Sequence, residues 1–95
     1  MAAKVIVELH AKAGQRDELR SSIERIAAID PPPGYHGSTY YESPDDPDLL
    51  VDIADWESPE ARTMHLATAT AAETYAPVLE LLAGPVRATV IRRLA

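Results

Sequence analysis

The chain contains no cysteine and no phenylalanine, and only one tryptophan and four glycines among its 95 residues. Without cysteine there is no disulfide framework, no thiolate nucleophile and no thiolate metal site. A basic excess is missing too: 9 Lys and Arg stand against 15 Asp and Glu, a formal net charge of -6. Such a surface repels phosphate, so neither nucleic acid nor an anionic membrane is an expected partner. The Arg92–Arg93 pair is too short to reverse that balance and reads as the solvated end of a strand. Long apolar runs are also lacking. MAAKVIVELHAK has only a brief one before Glu8, too short for a signal peptide or a spanning helix, so the expected protein is soluble and cytoplasmic. No GxGxxG, P-loop or HExxH motif occurs, and His10 and His36 have no third ligand at metal spacing, so no cofactor and no metal are expected.

What is present is an ordinary globular composition, 46% hydrophobic and 25% charged. A chain of this length buries about two-thirds of its unfolded surface, enough for one modest core. A single domain over 1–95 is the expectation.

KVIVELH, residues 4–10, is short and rich in β-branched residues and reads as a first strand. Gly14 breaks the chain, and QRDELRSSIERIAAI follows with Leu19, Ile23, Ile26 and Ala27 at helical spacing. Pro31–Pro32–Pro33 and Gly34 end that helix. STYYES (38–43) and LLVDIADW (49–56) form a hairpin around the turn SPDDPD. Ser58 is a good N-cap, with Pro59 at the first helical position and Glu60 beside it. The second helix is expected to run to about Ala76, with Pro77 kinking or restarting it and Gly84–Pro85 stopping it. VRATVIRRL, 86–94, is the last strand. This βαββαβ order predicts a ferredoxin-like α+β sandwich, an antiparallel sheet with both helices on one face.

The third strand is apolar on both sides: Leu50, Ala54 and Trp56 on one, Val51 and Ile53 on the other. The first has Val5 and Val7 on one face and Ile6 on the other. Two helices cover only one face, so the second predicts a homodimer whose sheets pack together.

AKAGQRDEL at the first helix, PPGYHGSTYYESPDDPD through the hairpin and DWESPEARTMHLATAT into the second helix lie in order over nearly the whole chain. With them the chain resembles the antibiotic biosynthesis monooxygenase family, the dimeric α+β barrels. Relatives among the polyketide anthrone and quinol oxygenases use O2 without flavin, haem or metal. In them an acidic phenol or anthrone is ionised, its anion gives an electron to O2, and the resulting peroxide collapses to a quinone. The resemblance thus implies a cofactor-independent monooxygenase acting on a hydroxylated aromatic. A non-catalytic ligand-binding dimer of polyketide biosynthesis and a cyclase or isomerase on the same fold are the alternatives.

The resemblance also nominates residues. Trp56 matches the family's tryptophan in WES and suits stacking on a flat substrate, or packing under the second helix. Asp52 shares its strand face, where anthrone oxygenases carry an asparagine. If buried, it acts as a base toward the phenol; otherwise it is a surface or salt-bridged carboxylate. His65, in MHLAT, matches a histidine of the quinol-oxygenase-like branch and falls among Ala61, Ala69, Ala72 and Ala76 on the helical wheel. It is a proton acceptor or a hydrogen-bonded core histidine. Trp56 and His65 are expected to border one cleft between sheet and helices. Tyr75, Met64 and Thr68, on the adjacent stripe, are expected pocket lining. Tyr40 and Tyr41 alternate, so one of them faces the pocket, Tyr40 being the candidate. Arg62, where some anthrone oxygenases have a tyrosine, is expected in solvent. The haem-degrading branch is disfavoured: the first strand lacks its asparagine, and His65 and Thr74 stand where its helical tryptophan and proximal histidine would be.

Overall fold

The computed structural model describes residues 2–29, 31–68 and 71–94, with residue 72 as backbone only. The elements are β1 (Ala3–His10), α1 (Arg16–Ile29), β2 (Tyr35–Ser43), β3 (Asp46–Trp56), α2 (Pro59–Leu66), α3 (Ala71–Thr74), α4 (Ala76–Glu80) and β4 (Arg87–Ile91). The four strands form one antiparallel sheet in the order β2-β3-β1-β4, the ferredoxin-like arrangement. Among the described residues no helix is long and apolar enough to cross a membrane.

Strand alternation sorts the side chains. Ala3, Val5 and Leu9 of β1 and Leu50, Ala54 and Trp56 of β3 are buried on the face toward the helices. Leu19, from the amphipathic stripe of α1, is wholly buried against them, and Val78 of α4 joins from the side. The result is two apolar clusters, one around Leu9, Leu19, Leu50 and Val78, the other around Val5, Ala54 and Trp56. Val7 packs against both. On the opposite face Ile6, Val51 and Ile53 are half-buried, while Tyr41 and Ile91 are exposed. Lys4–Asp55 (2.6 Å) and Glu8–Arg87 (3.8 Å) are ion pairs among them.

Two features set the start of α2. The Ala61 N–H donates to Ser58 Oγ at 3.1 Å, as the N-cap reading requires. Gly34, at φ +83°, brings the backbone so close that a Cβ there would stand 2.8 Å from the Ala61 Cβ. Glycine is therefore required at that approach.

The strand and helix boundaries depart from expectation in places. The second helix does not run on to Ala76: it ends at Leu66 and gives way to α3 and α4. The Thr68 backbone N–H and its hydroxyl both donate to the His65 carbonyl, at 3.1 and 2.9 Å, and close the chain into a turn there. Ala69 lies outside the described residues, as does the side chain of Ala72, so the alanine surround of His65 is not described in full. Pro77 sits in the first turn of α4, where its missing donor costs nothing. β2 and β3 begin earlier than expected, at Tyr35 and Asp46, because the hairpin turn is confined to Pro44 and Asp45. β4 stops at Ile91.

Candidate active site

Asp52 interrupts the buried row Leu50, Ala54, Trp56 with a carboxyl. Its partners across the sheet are Val7 on β1 and Tyr40 on β2, so it stands where the two apolar clusters meet. Its Oδ1 is buried and has no hydrogen-bond partner among the described residues. A buried acceptor left unmatched is costly, and more so when charged. Burial accordingly raises the Asp52 pKa above the ordinary carboxylate value, and the Ser38 hydroxyl and the Arg62 charge oppose this only in part. Phenols gather around it. Burial and then the Asp52 charge push Tyr40 well above the usual phenol range. Tyr35 and Tyr75 are also raised, chiefly by burial.

Beside this carboxyl runs a line of rings from four parts of the chain. Tyr35, at the start of β2, meets Trp56 edge-on at 5.3 Å between centroids. Trp56, at the end of β3, lies 6.0 Å from the His65 ring at a tilt of 34°. His65 of α2 shares a 2.7 Å hydrogen bond between Nε2 and the hydroxyl of Tyr75, which joins α3 to α4. Arg62 lies one turn before His65 on the same helix face, half-buried, and its charge partly offsets the effect of burial on Asp52 and Tyr75.

Of the residues nominated from sequence, Trp56, His65 and Tyr75 are thus in contact, and Asp52 and Tyr40 stand opposite each other on the helix-facing side of the sheet. Tyr41, half exposed, projects from the other side. Met64 and Thr68 do not join them. Met64 is 72% exposed, because α2 turns His65 and Arg62 inward and Met64 outward, and the exposed Thr68 spends its hydroxyl on the His65 carbonyl. Arg62 corrects the expectation of a solvated arginine. The indole and imidazole pack together and do not face each other across an open hollow. Two cavities lie elsewhere. One of about 560 Å³ is lined by Glu8, His10, Pro85 and Arg87 at the end of β1. Another of about 260 Å³ lies beside α1, between Arg16, Arg20, Tyr40 and Leu50. Arg20 caps the Tyr40 ring there at 5.4 Å. Sequence reasoning missed Tyr35 and Ser38. Stepping back by twos from Tyr40 finds Ser38, but the irregular pairing between Tyr35 and Gly37 breaks that alternation before it reaches the tyrosine.

A family model described as antibiotic biosynthesis monooxygenase matches residues 2–77. Among solved structures, Rv0793 from Mycobacterium tuberculosis is 26% identical, with a TM-score of 0.76 over 100% of this chain and 97% of that one. An antibiotic biosynthesis monooxygenase homologue from Chloroflexus aurantiacus J-10-fl is 25% identical, with a TM-score of 0.75 over 100% and 97%. SnoaB, a cofactor-independent oxygenase from Streptomyces nogalater, has a TM-score of 0.80 over 99% and 94%. At 19% identity it shares the fold. No protein of curated function matches the sequence. With a family model covering most of its length and relatives superposing from end to end, the chain belongs to the antibiotic biosynthesis monooxygenase family.

Proposed function

We propose that this protein is a cofactor-independent monooxygenase that oxidises a hydroxylated, quinol- or anthrone-type aromatic with O2, working as a homodimer. The observation that carries the reading is the free Asp52 Oδ1, buried between two apolar clusters and beside the Trp56–His65–Tyr75 line. Asp52 accepts the substrate's acidic proton; its raised pKa brings it nearer that of a phenol. Trp56 supplies a flat apolar wall, and His65 with Tyr75 a polar edge through which a proton can be relayed. The substrate anion passes one electron to O2, and the two radicals combine at carbon. For an anthrone-type methylene the hydroperoxide then loses water, so that CH2 and O2 become C=O and H2O. Entry requires α2 to move aside, and α2 has no fully buried residue to hold it down.

The test is O2 uptake on adding an anthrone or a dihydroxynaphthalene to the anaerobic protein and then admitting air. Quinone should form as O2 is consumed, and Asp52→Leu, which removes the carboxyl without supplying the asparagine of the anthrone oxygenases, should lower kcat on the order of a hundredfold, as loss of a general base does. Uptake unchanged both in that variant and in His65→Ala/Trp56→Ala would remove the assignment. Quenching of Trp56 fluorescence without any uptake would instead establish a ligand-binding module.

A further inference from the structure

Strand alternation sends Lys4, Ile6, Glu8 and His10 of β1 to the side of the sheet away from the helices, opposite the buried Ala3, Val5 and Leu9. All but Ile6 are ionisable, and each has a complement on a neighbouring strand. Lys4 lies 2.6 Å from Asp55, Glu8 lies 3.8 Å from Arg87, and His10 Nε2 lies 3.9 Å from Asp46 Oδ2. The last two pairs are looser than the first. Glu8, His10 and Arg87 also line one open cavity of about 560 Å³, walled by Ala83, Gly84, Pro85 and Val86. Those four wall residues bring no side-chain charge, and Lys12, the next ionisable residue along the chain, is exposed. The charged groups around the imidazole are therefore Glu8 on β1, Asp46 from β3 and Arg87 from β4.

The charges of this face do not balance while His10 is neutral. Lys4 answers Asp55 and Arg87 answers Glu8, but among the described residues Asp46 has only the imidazole. In a single chain, solvent screens these half-exposed groups and the mismatch costs little. A second copy laid over Ile6, Val51 and Ile53 would exclude that water and make the unmatched carboxylate a penalty, once on each chain. An identical face is the fitting occupant: its apolar centre matches in area, and its rim offers both signs, so cations can lie against carboxylates.

We propose that His10 makes self-association through this face proton-dependent. The neutral imidazole leaves Asp46 unmatched between the two copies; the imidazolium pairs with it and holds the dimer. Association then takes up protons, so the dimer strengthens as pH falls through the ordinary imidazole range, between about pH 8 and pH 5. This rests on the homodimer reading and is independent of the oxygenase reading.

Sedimentation equilibrium of the full-length protein at about pH 8 and about pH 6 measures the dissociation constant. It should fall about tenfold at the lower pH, the effect of one charge pair. His10→Gln, uncharged at both, should keep the weaker value throughout. His10→Lys, charged at both, should show the tighter value already at the higher pH. His36→Gln, which removes another exposed histidine, on β2, should behave as the wild type does. Both positions are exposed, so the variants should fold, and circular dichroism checks this. A dimer with the same constant at both pH values, or a His10→Gln variant that keeps the wild-type dependence, overturns the inference and leaves the homodimer standing. A monomer at every pH and concentration overturns both.

Discussion

At Asp52 a carboxyl that ionises freely in the unfolded chain is held in the folded one where water does not reach its Oδ1. Its folded pKa is therefore the higher of the two. Between the two values the folded protein keeps a proton that the unfolded chain has released, so stability falls as pH rises through that window. Above it the whole penalty is present; below the ordinary carboxylate range it is gone. Asp52→Asn keeps the shape and removes the ionisation. It should raise Tm by a few degrees at neutral pH and by progressively less as the solution is made acidic, followed by thermal unfolding across the pH range. A gain of the same size at every pH would contradict the burial argument. That Asp52 shares a face with Trp56 was legible from strand alternation alone, since the period of two leaves no choice. The inward turn of Arg62 was not. A helix of eight residues has no buried stripe to set its phase, and here the phase comes from the Ser58 cap and the Gly34–Ala61 approach.

The two long helical segments hold to the sheet by different means, and this separates what can move from what cannot. α1 plants Leu19, wholly buried, between β1 and β3, with Ile23 and Ile26 partly buried around it. Leu19→Ala should cost about 2–5 kcal/mol in urea unfolding, the range for a large core residue cut back to alanine. Leu66→Ala, at the exposed end of α2, should change little. α2 is kept in place by its cap, by Gly34 and by the His65–Tyr75 bond, all at the surface or beside the site. Its amides should exchange with solvent faster than those of α1, and slow when an anthrone or a dihydroxynaphthalene is bound in the absence of O2. Equal protection in the two helices would argue against α2 as the part that admits a ligand. The order of these elements could be read from the sequence because Gly14, the proline run and Ser58–Pro59 punctuate it. The break after Leu66 could not: alanine-rich sequence favours continuing the helix, and a threonine's hydrogen bonds to one carbonyl decide otherwise.

For the molecule as a whole, the helix-facing side of the sheet is covered over β1 and β3, while the other side carries Ile6, Val51, Ile53, Tyr41 and Ile91 with no helix over them among the described residues. The ion pairs Lys4–Asp55 and Glu8–Arg87 border this apolar area without covering it. β4 adds to the case, since all five of its residues are exposed, Val90 on the helix side and Ile91 on the open side among them. An apolar sheet face in water is a strong drive to association, and a second identical sheet matches it in shape and in area. Sedimentation should therefore give twice the 10.3 kDa chain mass. Ile53→Asp places a charge at the middle of β3, where its cross-strand neighbours are Ile6 and Thr39 and its counterpart on a second sheet would be apolar. An unpaired buried charge breaks such an interface, so this variant should sediment as a monomer. Because the side chain points away from Asp52 and Trp56, any fall in O2 uptake in the folded monomer reports the contribution of the partner. A wild-type chain that stays monomeric at every concentration would mean that this face is covered by something other than a second copy.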